Sequence, residues 1–280
     1  MPIDPGKAIG ARLPDRELAW TASDVLLYHL GLGAGAGELR YVYERDLTVL
    51  PTFAVVAGTL RDTEPPTISM PGVEIDLATA LHGRQDLVVH RPLPVSGRAT
   101  ARSHIVDVYD KGNAAVIVTE TSTPYFTSRS SIFARGAGGF GGARGPSTRV
   151  PPPPREPDAV LLSRTSPDQA LWYRLCGDRN PLHVDPAFAA LAGFPRPILH
   201  GLCTYGVVAK AVVDALLDGD PTRVAGYGGR FAGVVFPGET LRTRIWRQDT
   251  HLLLTTSVAD RDDAPALSDA TLTLTPPGMS

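Results

Sequence analysis

Lysine is almost missing from this chain: among 280 residues it occurs only as Lys7, Lys111 and Lys210. Nearly all positive charge is therefore arginine, which reads as base-composition bias first and as function second. Cysteine is equally scarce, present only as Cys176 and Cys203. Two thiols cannot staple a secreted disulfide scaffold, and the opening MPIDPGKAIG carries no apolar leader, so a cytoplasmic location is expected. An excess of one charge sign is missing too, since 27 Lys and Arg against 29 Asp and Glu leave a net charge of −2. Such a balance gives no field to hold a phosphate backbone, and nucleic acid is not an expected partner. No apolar run reaches the ~18 residues of a membrane span, because Lys210, Asp214 or prolines interrupt the longest ones, so no membrane partner is expected. What remains is a chain 43% hydrophobic and 20% charged, long enough for one large domain or two modest ones.

Glycine and proline, at 28 and 26 residues, are the one excess, and much of it lies in ARGAGGFGGARGPSTRVPPPPR between Ala134 and Arg155. That run has no periodicity and packs little apolar surface, so it is read as a linker over 135–157 between units at 1–134 and 158–280. Both units carry strand-like runs rich in β-branched residues, such as AAVIVTETST before the linker and HLLLTTSV after it. Two phrases recur in order. The capped helix start Thr21-Ala-Ser-Asp24 matches Thr165-Ser-Pro-Asp168, and Leu93-Pro-Val-Ser-Gly97 matches Val234-Val-Phe-Pro-Gly238. Both recur after roughly 140 residues, which points to a duplicated unit.

The second unit contains a helix, Gly201 to Leu217, that is apolar on nearly all faces and must be surrounded by protein. The equivalent stretch of the first unit, Leu50 to Leu60, is a short apolar run stopped by Arg61 and prolines. The first unit is therefore expected to leave the concave face of its sheet unfilled, which is a natural ligand pocket.

Chemistry concentrates in Tyr173-Arg-Leu-Cys-Gly-Asp178-Arg-Asn180-Pro-Leu-His183-Val-Asp185. Gly177 and Pro181 flank a turn that ends a helix and hold Asp178 and His183 on a rigid loop. A carboxylate and an imidazole so placed can divide acid and base work on one water; the plainer alternative is a turn-capping Asp and a structural His. The first unit has Ala34 and Leu39 at the corresponding positions, so only one copy carries the pair. Gly31 to Gly37 follows a helix and not a strand, so it is a turn and not a dinucleotide loop. Gly138 to Gly145 lacks the lysine of a phosphate loop. No second histidine or cysteine at ligand spacing supports a metal beside Asp178 and His183, and neither cysteine has a partner that would make it a nucleophile.

The run Tyr173 to Ala189 resembles, at every defined position, the hydratase 2 signature of MaoC-like (R)-specific enoyl-CoA hydratases. Leu50-Pro-Thr-Phe, Leu81-His82-Gly83 and Arg230-Phe-Ala-Gly-Val-Val-Phe-Pro-Gly-Glu-Thr-Leu also look like that family, so the resemblance covers almost the whole chain. It implies an α+β double hotdog fold, two antiparallel sheets each wrapping a helix, with the first helix reduced to make room for a bulky acyl chain. It implies reversible addition of water to a trans-2-enoyl-CoA giving the (3R)-3-hydroxyacyl-CoA, with no metal or redox cofactor, CoA being part of the substrate. Asp178 and His183 would then be the acid/base pair, in either assignment, Asn180 a supporting residue, and the Gly201 backbone N–H the oxyanion donor. His200 is left with a structural role. The phrases around Ala134 and Tyr173 look like actinobacterial hydratases of sterol side-chain β-oxidation, although a long fatty acyl chain fits the same reading. Family members commonly form dimers, so a homodimer is expected. The competing readings are a silent acyl-CoA-binding protein of hotdog type and a hotdog thioesterase. No basic residue is singled out by the sequence for the CoA phosphates.

Overall fold

The computed structural model describes residues 3–147 and 149–276. Strands are β1 (Arg16–Trp20), β2 (Ile68–Met70), β3 (Val73–Ile75), β4 (Ala80–Val89), β5 (Gly97–Asp110), β6 (Ala114–Ser122), β7 (Phe126–Arg135), β8 (Ala159–Arg164), β9 (Val224–Phe231), β10 (Thr240–Arg247), β11 (His251–Val258) and β12 (Ala264–Leu274). Helices are α1 (Pro5–Ala8), α2 (Ala22–Gly31), α3 (Leu39–Val42), α4 (Gln169–Tyr173), α5 (Pro186–Leu191) and α6 (Gly201–Leu216). Apart from the β2–β3 hairpin, the strands form one ten-stranded antiparallel sheet in the order β1-β5-β6-β7-β4-β9-β12-β11-β10-β8. Read inward from each edge the two halves have the same plan, 1-5-6-7-4 and 8-10-11-12-9. They meet where β4 pairs with β9, Arg84 opposite Arg230 and Leu87 opposite Tyr227.

Both copies of the first repeated phrase lead into a helix, but not in the same register: Thr21 is the N-cap of α2 in a reciprocal box with Asp24, whereas Asp168, the counterpart of Asp24, is itself the N-cap of α4 and makes no side-chain cap bond. Helix α6 ends one residue short of the expected stretch, Leu217 being its C-cap. Its apolar faces are enclosed: Cys203, Tyr205, Val208, Val212 and Val213 have no solvent exposure. Its polar residues serve as ties to the first half, since Asp214 accepts from the Tyr41 hydroxyl at 2.7 Å and Lys210 pairs with Glu38.

In place of such a helix the first half has a single 3-10 segment, Pro51–Val55. The face beneath it is not vacant. Leu50 and Phe53 are fully buried and pack with Trp20 and Tyr28. Farther along the same face, Ile105, Ile117, Ile132 and Ala134 are covered by Ile3, Ala8, Val73 and Ile75 from the amino-terminal segment and the hairpin. The expected open concave face is therefore closed by segments too short to show a helical or strand period.

The glycine-rich run is also more tightly held than its composition suggests. Between Arg135 and Ala159 no described residue is in a helix or strand, yet the Asp110 carboxylate accepts from Gly112, Gly139 and Gly141 N–H groups at 2.7–2.9 Å. Those amides hold its pKa down to about 2. The run lies over the sheet near Tyr109.

Candidate active site

The signature loop folds as it does because each polar residue completes a backbone group. Gly177, at φ +106°, ends the 3-10 turn Arg174–Cys176. A side chain there would strike the Thr59 carbonyl, 1.7 Å from the Cβ position, so glycine is needed for conformation and for close approach. The loop is fastened to the first half by Thr59 Oγ1 donating to the Cys176 carbonyl at 3.1 Å and Arg179 Nε donating to Asp62 O at 3.2 Å. Asn180 caps the turn Pro181–His183, its Oδ1 accepting from Leu182 N at 3.0 Å, while its own N–H donates to Asp178 Oδ1 at 3.2 Å. Leu182 is buried with Ala189, Ala192, Ile198 and Phe236 and pins the loop from behind.

His183 Nδ1 lies 2.9 Å from the Ile198 carbonyl. A carbonyl only accepts, so Nδ1 carries the proton, and in the neutral ring Nε2 keeps its lone pair. Burial pushes the His183 pKa down; the Asp178 charge and the Ile198 carbonyl oppose this without reversing it. Burial alone would raise Asp178, but the imidazoles of His200 and His183 and the Asn180 N–H outweigh it, and the net shift is downward. The site therefore presents an ionised carboxylate beside a neutral base at neutral pH.

Two further histidines join them. One ligand atom each of Asp178, His183 and His200 lies within 4.8 Å of the others. Sequence spacing offered no second histidine for a metal, and the fold supplies one. The arrangement still fits an ion poorly: the His183 and His200 rings stack at 3.7 Å with planes 29° apart, so their in-plane lone pairs run side by side and do not converge. His82, from β4 of the first half, also lines the site; its Nε2 donates to Arg84 O at 3.1 Å, and burial lowers its pKa to about 4. Its ring meets Phe231 edge-on at 4.9 Å. The sequence places His82 in a phrase shared with the family without giving it a role, and leaves His200 with a structural one.

Gly201 is the first residue of α6, so its N–H has no partner within the helix. It lines the same cavity as Asp178 and His183, and a Cβ there would press on the Phe231 ring at 3.1 Å. The structure thus brings Asp178, Asn180, His183 and Gly201 onto one cavity of about 830 Å³. Its first-half wall includes Leu81, Tyr109, Val116, Val118, Ser131 and Phe133, with charged side chains such as Arg84, Lys111 and Arg129 beside them. On β6 and β7 these alternate with Ile117, Ile132 and Ala134, so the cavity uses the sheet face opposite the one expected to be vacant. Cys176 and Cys203 are buried, with thiol pKa values raised by that burial, and neither is poised as a nucleophile.

Residues 149–264 match the MaoC like domain, and residues 18–138 match the MFE-2 hydratase 2 N-terminal domain. A protein named enoyl-CoA hydratase ChsH3 from Mycobacterium tuberculosis is 53% identical, over 97% of this chain and 99% of its own. The crystal structure of a MaoC-like dehydratase from Phytophthora capsici superposes with a TM-score of 0.87 at 30% identity, covering 98% of each chain. A double hotdog protein from M. tuberculosis superposes at a TM-score of 0.59 with 14% identity over 95% of this chain and 96% of its own, a likeness of fold. The fold is thus α+β of the double hotdog kind, and the chain belongs to the MaoC-like enoyl-CoA hydratase 2 family.

Proposed function

We propose that the protein catalyses the reversible, (R)-specific hydration of a trans-2-enoyl-CoA to the (3R)-3-hydroxyacyl-CoA, in the β-oxidation of a bulky acyl chain. One observation carries the reading: an ionised carboxylate and a tautomer-fixed neutral imidazole share a cavity with a free helix N-terminal amide. Water is a poor nucleophile, and C3 of an unsaturated thioester accepts it only if the charge growing on the thioester oxygen is stabilised. Asp178 and His183 Nε2 hold the water and take its proton as its oxygen bonds to C3. The Gly201 N–H meets the enolate oxygen, where the helix dipole adds partial positive charge. The proton then returns to C2 through one of the pair, which restores both groups. Asn180 acts through Asp178 and the turn. These groups balance the reaction's protons and charge, so the reading assigns no metal or redox cofactor.

Residues 1–134 are read as the acyl-chain half, 135–157 as the linker and 158–280 as the catalytic half. The cavity lies in the upper part of the ~300–1,000 Å³ span of ligand pockets, and its apolar wall of Leu81, Val116, Val118 and Phe133 favours a bulky acyl group such as a steroid side chain or a long fatty chain. Free, buried thiols suit the cytoplasm, and family resemblance favours a homodimer.

Chiral chromatography of the product formed from a trans-2-enoyl-CoA is the test. The (3R) isomer is expected; the (3S) isomer, or free CoA with no hydroxyacyl product, contradicts the reading. Comparing kcat/KM for a steroid-side-chain enoyl-CoA, a long-chain enoyl-CoA and crotonyl-CoA assigns the acyl group, with crotonyl-CoA expected to be the poorest.

A further inference from the structure

His200 is 1% exposed and is absent from the cavity wall, so it does not meet substrate. It nevertheless touches every catalytic element. Its Nε2 lies 3.3 Å from the Asp178 carbonyl, which can only accept, so Nε2 carries the proton and donates. Its ring is the stacking partner of His183 and is backed by Tyr173 at 4.9 Å. Its main chain leads directly into Gly201, and its carbonyl accepts from Thr204 N at 3.1 Å in the first turn of α6.

The position is a poor one for a histidine that merely fills space. Nδ1 is buried with no hydrogen-bond partner among the described residues. The side chain sits at the N-cap of α6 without capping it, where Ser, Thr, Asp or Asn would satisfy a free amide. A phenylalanine would pack against Tyr173 and His183 with no orphaned nitrogen. An imidazole bears both costs, and the one group it adds over an aromatic hydrocarbon is the Nε2–H that reaches the Asp178 carbonyl.

We infer that His200 is a positioning residue of the hydration, fixing the Asp178 main chain, the His183 ring plane and the Gly201 amide relative to one another as a single unit. This rests on the hydratase reading above. Tight relative placement matters because acid, base and oxyanion donor act on one substrate, and small displacements cost rate and not binding.

The test is steady-state kinetics of His200→Gln, His200→Asn and His200→Phe on a trans-2-enoyl-CoA, with circular dichroism and Tm alongside the wild type. The glutamine amide reaches as far as imidazole Nε2 and supplies a donor; asparagine falls short, and phenylalanine keeps the stack without a donor. Gln is expected to retain kcat within about fivefold, while Asn and Phe lose more than about tenfold, with KM changed less than about twofold in all three. Equal loss in Gln and Asn, or kcat near wild type in both, overturns the positioning role, and this pair decides even where Phe fails to fold. Wild-type protein that does not hydrate the substrate overturns the hydratase reading and this inference with it.

Discussion

The two halves share five strands in one order, yet one half encloses a sixteen-residue helix and the other a five-residue turn. The long helix brings a free amide at Gly201 to the cavity, and the loop before it carries Asp178 and His183. The first half, at the corresponding loop, has Ala34, buried in the core, and Leu39, exposed at 56%. What the first half contributes is wall: His82 and the outward-facing side chains of β5, β6 and β7. On the proposed function, a duplicated unit has divided its labour, with chemistry kept in one copy and substrate space made by the other across the β4–β9 seam.

Removing the chemistry from the second half should have the largest effect. Asp178→Asn or His183→Gln is expected to lower kcat by roughly a thousandfold, within the ~10²–10⁴ range of general acid–base catalysis, with an unchanged circular dichroism spectrum. A rate within tenfold of wild type would place the chemistry elsewhere.

Acid should then show how firmly the halves are joined. Burial lowers His29 and His82 in the first half to about 4 and His200 in the second to about 3. The unfolded chain, with histidines near their ordinary ~6.5, binds more protons below that pH than the folded one. Stability is therefore fully present above ~6.5 and declines as pH falls towards 4, and urea unfolding across this window should show one cooperative transition. Two separated transitions would mean that the halves unfold independently.

Smaller effects are expected from residues that place the pair. Gly201→Ala pushes a methyl onto Phe231 at 3.1 Å and should lower kcat by roughly ten- to a hundredfold, below the ~10²–10³ of losing an oxyanion donor outright. Asn180→Ala removes the cap on Leu182 N and should cost about 1 kcal/mol of stability in urea unfolding and several-fold in kcat. Leu39→Ala, at the first-half position matching His183, should leave turnover within twofold.

The proposed catalytic pair was legible because it is local. Asp178, Asn180 and His183 lie within six residues, and Gly177 and Pro181 announce the turn that presents them. Gly201 was legible because a buried helix must begin with free amides. His200 and His82 were not, because their roles depend on approach through space: His200 reaches the Asp178 carbonyl across 22 residues, and His82 arrives from the other half of the sheet. The position of the cavity was misread for a similar reason. A short helix implies empty space only if nothing else fills it, and Ile3, Val73 and Ile75 do so from segments too short to show a period.

The division of labour makes one quantitative demand, that two structural units provide a single site. Isothermal titration of Asp178→Asn protein, with turnover slowed roughly a thousandfold, with a trans-2-enoyl-CoA should give one ligand per chain. Two ligands per chain would contradict the account.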